Sequence, residues 1–314
     1  MNRSLAPADL TPPVPHEVAA VAGEVSSGGV MPVGRPGKVG VLDVTFGVRG
    51  GGDGVTGVTS RFVKAPMQVT RPLHIDPGDP GEAFLYVRTT GGGLAQNDRI
   101  RQTFRLEPGA RATVTTQAGT PVHRMNAGMA SQWVSLHVAD GAVCEYLPGQ
   151  TILFGGSRLL QVTDAEVAPG GTLLAAEVML TGRLARGERD GFDALAQGFR
   201  VTRDARPLLS DTLCTTGATA RSEMLLSRWP VWGTVLVVPA QGEDVAGLLA
   251  QIRDDLPAAG EELTAAASTM VGDAGITVRV AGEDPVSVRA LVERVHSRTR
   301  ERLLGRPAVD LRRM

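Results

Sequence analysis

A mainly β fold, with β-helical or layered antiparallel strands and a small C-terminal α+β lobe containing two helices, is what this amino-acid sequence predicts. Three observations predict it. Glycine and proline are abundant, at 39 and 20 of 314 residues, and both interrupt helices and populate turns, so many short strands are favoured over helical bundles. Turn dipeptides recur through the middle of the chain at intervals near 30 residues. Over roughly the last eighty residues the apolar pattern changes to one that alternates strand and helix periods.

Residues 1–37 are rich in Pro, Gly, Ser and Ala without periodicity, and such a segment buries too little to offset the entropy of ordering, so a flexible arm is expected there. A β body is expected over 38–230. It opens with strand-like runs at 39–48 and 58–63, separated by Gly50-Gly51-Gly52-Asp53-Gly54, a loop or hairpin connection by composition. Pro77-Gly78, Pro108-Gly109, Asp140-Gly141 and Pro169-Gly170 then mark turns whose glycines are 31, 32 and 29 residues apart. Each precedes a β-prone run, at 83–87, 110–116, 142–147 and 172–180. Units that cannot bury their faces alone stack on one another, which predicts the layered architecture, with a β-sandwich as the alternative.

The remaining lobe, 231–314, is expected to pack on the β body. It starts with an apolar strand at 233–238 closed by Pro239. Val245, Leu248, Leu249, Ile252 and Leu256 then form one helical stripe, stopped by Pro257. Strands follow at 268–271 and 276–280. Asp284 as N-cap and Pro285 at the first helical position announce a second helix, with Val288, Leu291, Val292, Val295 and Leu303 on one face and Gly305 past its end.

Composition narrows the function classes. Lys and Arg total 32 against 33 Asp and Glu, so no strong field exists to attract nucleic acid or an anionic membrane. No stretch approaches the length of an uncharged membrane span, and no signal-peptide pattern occurs near Met1. Cys144 and Cys214 form no C-x-x-C pair and read as small buried hydrophobes, which fits a reducing cytoplasm. The five histidines, His16, His74, His123, His137 and His296, lack metal-ligand spacing, and His296 falls off the apolar stripe of its helix, so it is expected in solvent. Gly91-Gly92-Gly93-Leu94 is not followed by the Lys and helix of a phosphate loop, and no G-x-S-x-G elbow is present.

Acidic residues inside apolar runs carry more information. Glu177 interrupts Leu173-Leu174-Ala175-Ala176 and Val178-Met179-Leu180. An isolated carboxylate there is costly, so it must pair with a cation such as Arg183, be protonated, or line a wet internal cavity. A structural ion pair and a functional carboxylate stand as alternatives. Asp211 follows Pro207-Leu208-Leu209 in a similar setting, and Glu145 lies between Cys144 and Tyr146. Asp98, after Gln96-Asn97, is explained most simply by turn chemistry.

An ordered series of segments resembles the UreD (UreH) family of urease accessory proteins. Thr90 to Asp98, with Gly92 and Gly93, is similar to a family Gly-rich run that closes in Gly-Gly-Asp, Asn97 standing for the second Gly. Pro108-Gly109-Ala110, Thr115-Thr116-Gln117-Ala118 and Leu147-Pro148-Gly149-Gln150-Thr151-Ile152-Leu153-Phe154 follow in the family order, then Pro169-Gly170, Glu177, Gly182-Arg183, Gly187-Glu188, Phe199-Arg200 and Arg206-Pro207-Leu208-Leu209. The family's terminal Pro-Arg-x-Trp is represented only by Leu311-Arg312-Arg313-Met314, and Arg99 follows Asp98 where some relatives are acidic. The resemblance implies a non-catalytic scaffold that joins UreF and the GTPase UreG, docks on apo-urease subunits and passes nickel through an internal acidic tunnel. A homodimer within the accessory complex is compatible with it. Nickel would be a transient passenger, with no tightly bound cofactor. The positions matching acidic tunnel residues are Asp98, Glu177 and Asp211, and the matching structural positions are Gly92, Gly93, Gln117, Pro148, Gly182, Arg183 and Pro207. Several weak oxygen stations suit entry and exit better than one tight His/Cys site. The competing reading is a β-solenoid enzyme or binding module for a carbohydrate, against which stands an aromatic content of 4%.

Overall fold

The computed structural model describes residues 37–311, apart from 51–53, 223, 224, 227, 259 and 261, together with isolated positions before residue 37. The expected N-terminal arm thus lies outside the described residues.

The β-helical expectation is met by two facing sheets wound from one repeating unit. In the first sheet β1 (Val39–Val48), β5 (Arg99–Leu106), β8 (Ala130–Val138), β11 (Arg158–Val167) and β13 (Ala194–Arg203) are neighbours and all parallel. In the second, β4 (Ala83–Thr89), β6 (Arg111–Thr116), β9 (Val143–Leu147) and β12 (Thr172–Leu180) form the matching parallel ladder. Antiparallel pairing is confined to the flanks, where β2 (Thr56–Lys64) and β14 (Arg206–Thr215) fold back on β1 and β13, and β3 (Met67–Val69) pairs with β4.

Each passage from first to second sheet is a tight turn closed by an i to i+3 hydrogen bond. Ala110 N–H donates to Glu107 O, Ala142 N–H to Ala139 O and Gly171 N–H to Ala168 O. The turns also bond to each other, Gly109 N–H to Asp140 O and Gly141 N–H to Gly170 O, so the sequence period is a stack in space. The first member of the stack is corrected by the structure. Glu82 N–H donates to Asp79 O, so Pro80-Gly81 occupies the equivalent corner and Pro77-Gly78 belongs to a separate turn just before it. Two turns overlap within seven residues, and only the later one is in register with β6.

The C-terminal lobe continues the second sheet. β15 (Val231–Val238) pairs antiparallel with β12 along its length, and β17 (Ile276–Gly282) and β16 (Leu263–Thr269) follow. The last-but-one strand begins five residues earlier than its β-branched content suggests, because Ala265 to Ala267 pair there despite low β propensity. α1 (Gly217–Ala220) is a single turn, whereas α2 (Val245–Asp255) and α3 (Pro285–Leu304) are full helices. Asp244 and Asp284 cap them by accepting from Gly247 N–H and Ser287 N–H, and Gly305 ends α3 at φ +71°.

β12 is buried along its whole length because it has two covered faces. Leu173, Ala175 and Met179 enter the core between the sheets, while Leu174, Ala176, Val178 and Leu180 lie beneath α2 and α3. That explains why its sequence reads as a continuous apolar run.

The expectation that His296 is solvated is overturned. The buried face of α3 is wider than the apolar stripe and includes His296, Thr299 and Arg300. His296 Nε2 lies 2.5 Å from Glu145 Oε2, and Arg300 reaches Glu145, Glu82 and Asp76 at 2.9, 2.7 and 3.0 Å. Arg306 adds contacts to Asp76, Asp79 and Glu82. This buried ionic cluster ties α3 and the segment after it to the corner at 76–82. Cys144 is buried and Cys214 half-buried, and the two form no disulfide.

Candidate functional site

The long connections from second to first sheet stack as well. Leu94 bridges Val122 of β7 (Thr120–Val122), and Val122 pairs with Leu153 of β10 (Thr151–Leu153), so three segments lie on successive levels of one corner. Their backbone bonds run from level to level: Leu94 N–H to Pro121 O, His123 N–H to Leu94 O, Thr120 N–H to Gln150 O. Gly93 is required here, since its φ is +126° and a Cβ would stand 2.3 Å from the Pro121 carbonyl oxygen. The Gly-rich, Thr-Thr-Gln-Ala and Leu-Pro-Gly-Gln segments are therefore consecutive copies of one structural position.

Behind this corner lies a cavity of 340 Å³. Gly92, Gly93, Arg88, Gln117, Gly119 and Pro148 line its outer part, where Arg88 and Gly92 are exposed and the others half-buried. Gln102, Gln132, Gln161, Tyr146 and Glu177 line its inner part. Those residues come from successive levels, β5, β8 and β11 on one side and β9 and β12 on the other, so the cavity runs along the solenoid axis.

Glu177 sits at the inner end, 3% exposed, on the face of β12 that looks between the sheets. Its carboxylate accepts from Thr163 Oγ1 at 2.7 Å, Gln161 Nε2 at 2.6 Å and Gln197 Nε2 at 2.9 Å. Burial pushes the carboxyl above its ordinary value, against the pull of these hydrogen bonds. Burial and the nearby Glu177 charge likewise push the Tyr146 hydroxyl well up. Among the described lining residues Glu177 is the only carboxylate and Arg88, at the exposed rim, the only cation.

Of the three alternatives for Glu177, the cation pair is not formed, and the carboxyl lines a cavity in which burial favours its protonated form. Arg183 pairs instead with Glu188, and its guanidinium lies 4.5 Å from the centre of the Phe154 ring. The other two acidic candidates stand off the cavity. Asp98 is buried in its own loop, accepting from Ala95 N–H and Lys38 N–H, both at 2.8 Å, with Lys38 Nζ at 3.9 Å. Asn97 beside it has φ +61°, a conformation that Gly adopts freely and Asn tolerates, which accounts for the exchange at this position. Asp211, on the edge strand β14, pairs with Arg279 of β17. Of the structural candidates, Gly92, Gly93, Gln117 and Pro148 converge on the cavity. Gly182 and Arg183 form the turn after β12, closed against Glu188, and Pro207 occupies edge strand β14 beside a bulge, where a missing N–H is harmless.

Sequence reasoning missed the glutamines. Gln102, Gln132, Gln161 and Gln197 share the inward phase of their strands with core residues such as Phe104, Val134, Leu159 and Phe199. Their recurrence at 30, 29 and 36 residues follows the period already visible in the turns. No cluster of three or more His, Cys, Asp or Glu side chains suited to a metal ion occurs among the described residues, nor is any described helix long and apolar enough to cross a membrane.

The profile of the family described as UreD urease accessory protein matches residues 38–313, which is nearly the whole chain. The chain belongs to the UreD family of urease accessory proteins. Urease accessory protein UreD 2 of Streptomyces griseus is 38% identical over 292 residues, covering 89% of this chain and 95% of that one. The UreD proteins of Haloarcula marismortui and Natronomonas pharaonis are each 32% identical, over 280 and 277 residues. Those alignments cover 88% and 87% of this chain and 91% of each relative. The UreD match therefore takes in the solenoid, the cavity and the C-terminal lobe together.

Proposed function

We propose that the protein is a non-catalytic scaffold of urease maturation, which joins UreF and UreG on apo-urease and lets nickel pass through its axial cavity, with Glu177 as a transient station. The single observation that carries this reading is the placement of one carboxylate, Glu177, at the inner end of a cavity lined in part by Gln102, Gln132 and Gln161, whose mouth is built by the family's motif segments. A lone oxygen donor holds a divalent ion weakly and releases it, as a conduit needs.

Asp98 and Asp211 are given structural work in this reading, because their oxygens already serve backbone N–H groups and Arg279. The carbohydrate alternative finds no support in the cavity, where Tyr146 is the only aromatic among the described lining residues and no stacking platform exists.

The experiment is co-expression of the Glu177→Leu variant with urease and its other accessory proteins. Co-purification with UreF and urease subunits is expected to persist while nickel-dependent activation fails. Normal activation by the variant would refute the station, and failure of the unmodified chain to associate with urease subunits would refute the scaffold.

A further inference from the structure

The inner wall of the cavity on the first sheet is made of neutral amides. Gln132 and Gln161 are register partners on β8 and β11, Gln161 and Gln197 on β11 and β13, and Gln102 stands one inward position away on β5. Side chains at this phase otherwise fill the core, and burying an amide without a partner is costly. A glutamine stack can satisfy itself by bonding along the ladder, as in stacked amide zippers. Here Gln161 and Gln197 instead turn their amide nitrogens to Glu177. Gln161 Oε1 is left buried and without a hydrogen-bond partner, on a residue that lines the cavity and is 3% exposed. Such an acceptor calls for a hydrogen donor in the cavity.

We infer that Gln102, Gln132 and Gln161 form a neutral wall along which a divalent cation reaches Glu177 with its hydration water retained, the amide oxygens accepting hydrogen bonds from that water. The inference rests on the nickel-passage reading above and specifies the form of the cargo. Size permits it. At about 30 Å³ per water the 340 Å³ cavity holds about eleven, against about six in the first shell of an octahedral divalent ion. The chemistry of the wall permits it too. No His or Cys lines the described part of the cavity, so nothing soft competes for the inner coordination sphere. Divalent nickel exchanges inner-sphere water slowly, and a wall that binds the shell rather than the metal avoids that step.

Urease, its accessory partners and the variant chain are co-expressed in cells supplied with limiting nickel(II) chloride. For Gln102→Leu/Gln132→Leu the expected result is unchanged co-purification with an activation rate lowered about ten-fold or more. Gln102→Asn/Gln132→Asn, which keeps the amides, is expected to recover most of the rate. A wild-type rate for the Leu pair, with Glu177→Leu inactive, overturns the neutral wall and leaves the station standing. Wild-type rates for the Leu pair and for Glu177→Leu overturn both. Gln132→Glu, nearly isosteric, guards against a folding defect in the Leu pair. It is expected to retain nickel in the purified complex, read by elemental analysis, and to slow activation. Neither effect in Gln132→Glu overturns the wall.

Discussion

The indole of Trp232 decides which way Gln197 faces Glu177. Trp232 Nε1–H donates to Gln197 Oε1 at 3.1 Å, and because an indole nitrogen can only donate, the Gln197 amide must present its NH2 to the Glu177 carboxylate. Trp232→Phe removes that constraint together with three ring atoms, so a small packing loss adds to the lost hydrogen bond. The expected cost is about 1–2 kcal/mol, measured by urea denaturation, together with a several-fold slower activation of urease. An unchanged activation rate would show that the orientation of Gln197 is immaterial.

Glu177→Gln separates charge from shape. The new amide oxygen can take the two donors now on Oε2, and the new NH2 can donate to Thr163, whose hydroxyl reverses its role. Since the folded-state value of Glu177 is raised above its ordinary 4.5, the folded protein holds the proton more tightly than the unfolded chain. Wild-type stability therefore falls relative to Glu177→Gln as pH rises from about 4.5 through the folded value. Denaturation series for the two proteins at matched pH are expected to diverge in that direction.

Glu82 gives a second pH test in a different part of the molecule. Burial and the neighbouring Glu145 raise its carboxyl to about 7, outweighing Arg300, the Thr113 hydroxyl and Arg306. Its contribution to stability is fully present below about 4.5 and lost as pH rises through 7, a change of order 3 kcal/mol. Glu82→Gln is expected to flatten the stability curve between pH 5 and 8. Arg300→Ala, which takes the most buried cation from three carboxylates and leaves them only Arg306 and His296, is expected to cost about 3–5 kcal/mol at neutral pH.

Asp98→Ala tests the structural role of the loop carboxylate. Two backbone N–H groups lose their acceptor, so a loss of about 2 kcal/mol is expected in the denaturation midpoint analysis. Once folded, the variant is expected to support nickel-dependent activation at the wild-type rate, because Asp98 does not line the cavity.

The parts of this fold that local chemistry determines were legible in the sequence. Asp284, Pro285 and Gly305 bracket α3 as read, and the corner turns at Gly109, Gly141 and Gly170 sit where their dipeptides fall. Asp98 bonds Ala95, three residues away, and so the turn explanation could be made from neighbours alone. His296 could not be placed that way. Its partner Glu145 is 151 residues distant, and only the packing of α3 over the second sheet brings them together. The glutamines lie between these cases. Their inward phase and spacing were in the sequence, but their meaning depends on parallel register, which sets Gln132 between Gln161 on one side and Ile100 on the other. Glu177 was singled out because a charge inside an apolar run is conspicuous, whereas an amide inside one is not.

The stacked corners also give the cavity a measure of depth. Parallel strands lie about 4.8 Å apart, and β4, β6, β9 and β12 place three such steps between the Val87 level and the Glu177 level, about 14 Å in all. That depth changes only in whole windings of about thirty residues, since a shorter insertion is absorbed in a corner without moving the strands. Removing one complete winding would bring the Glu177 level about 4.8 Å closer to the Val87 level in a single jump. Evolution of such a cavity is therefore a choice among a few discrete lengths, with fine adjustment left to the side chains that face inward.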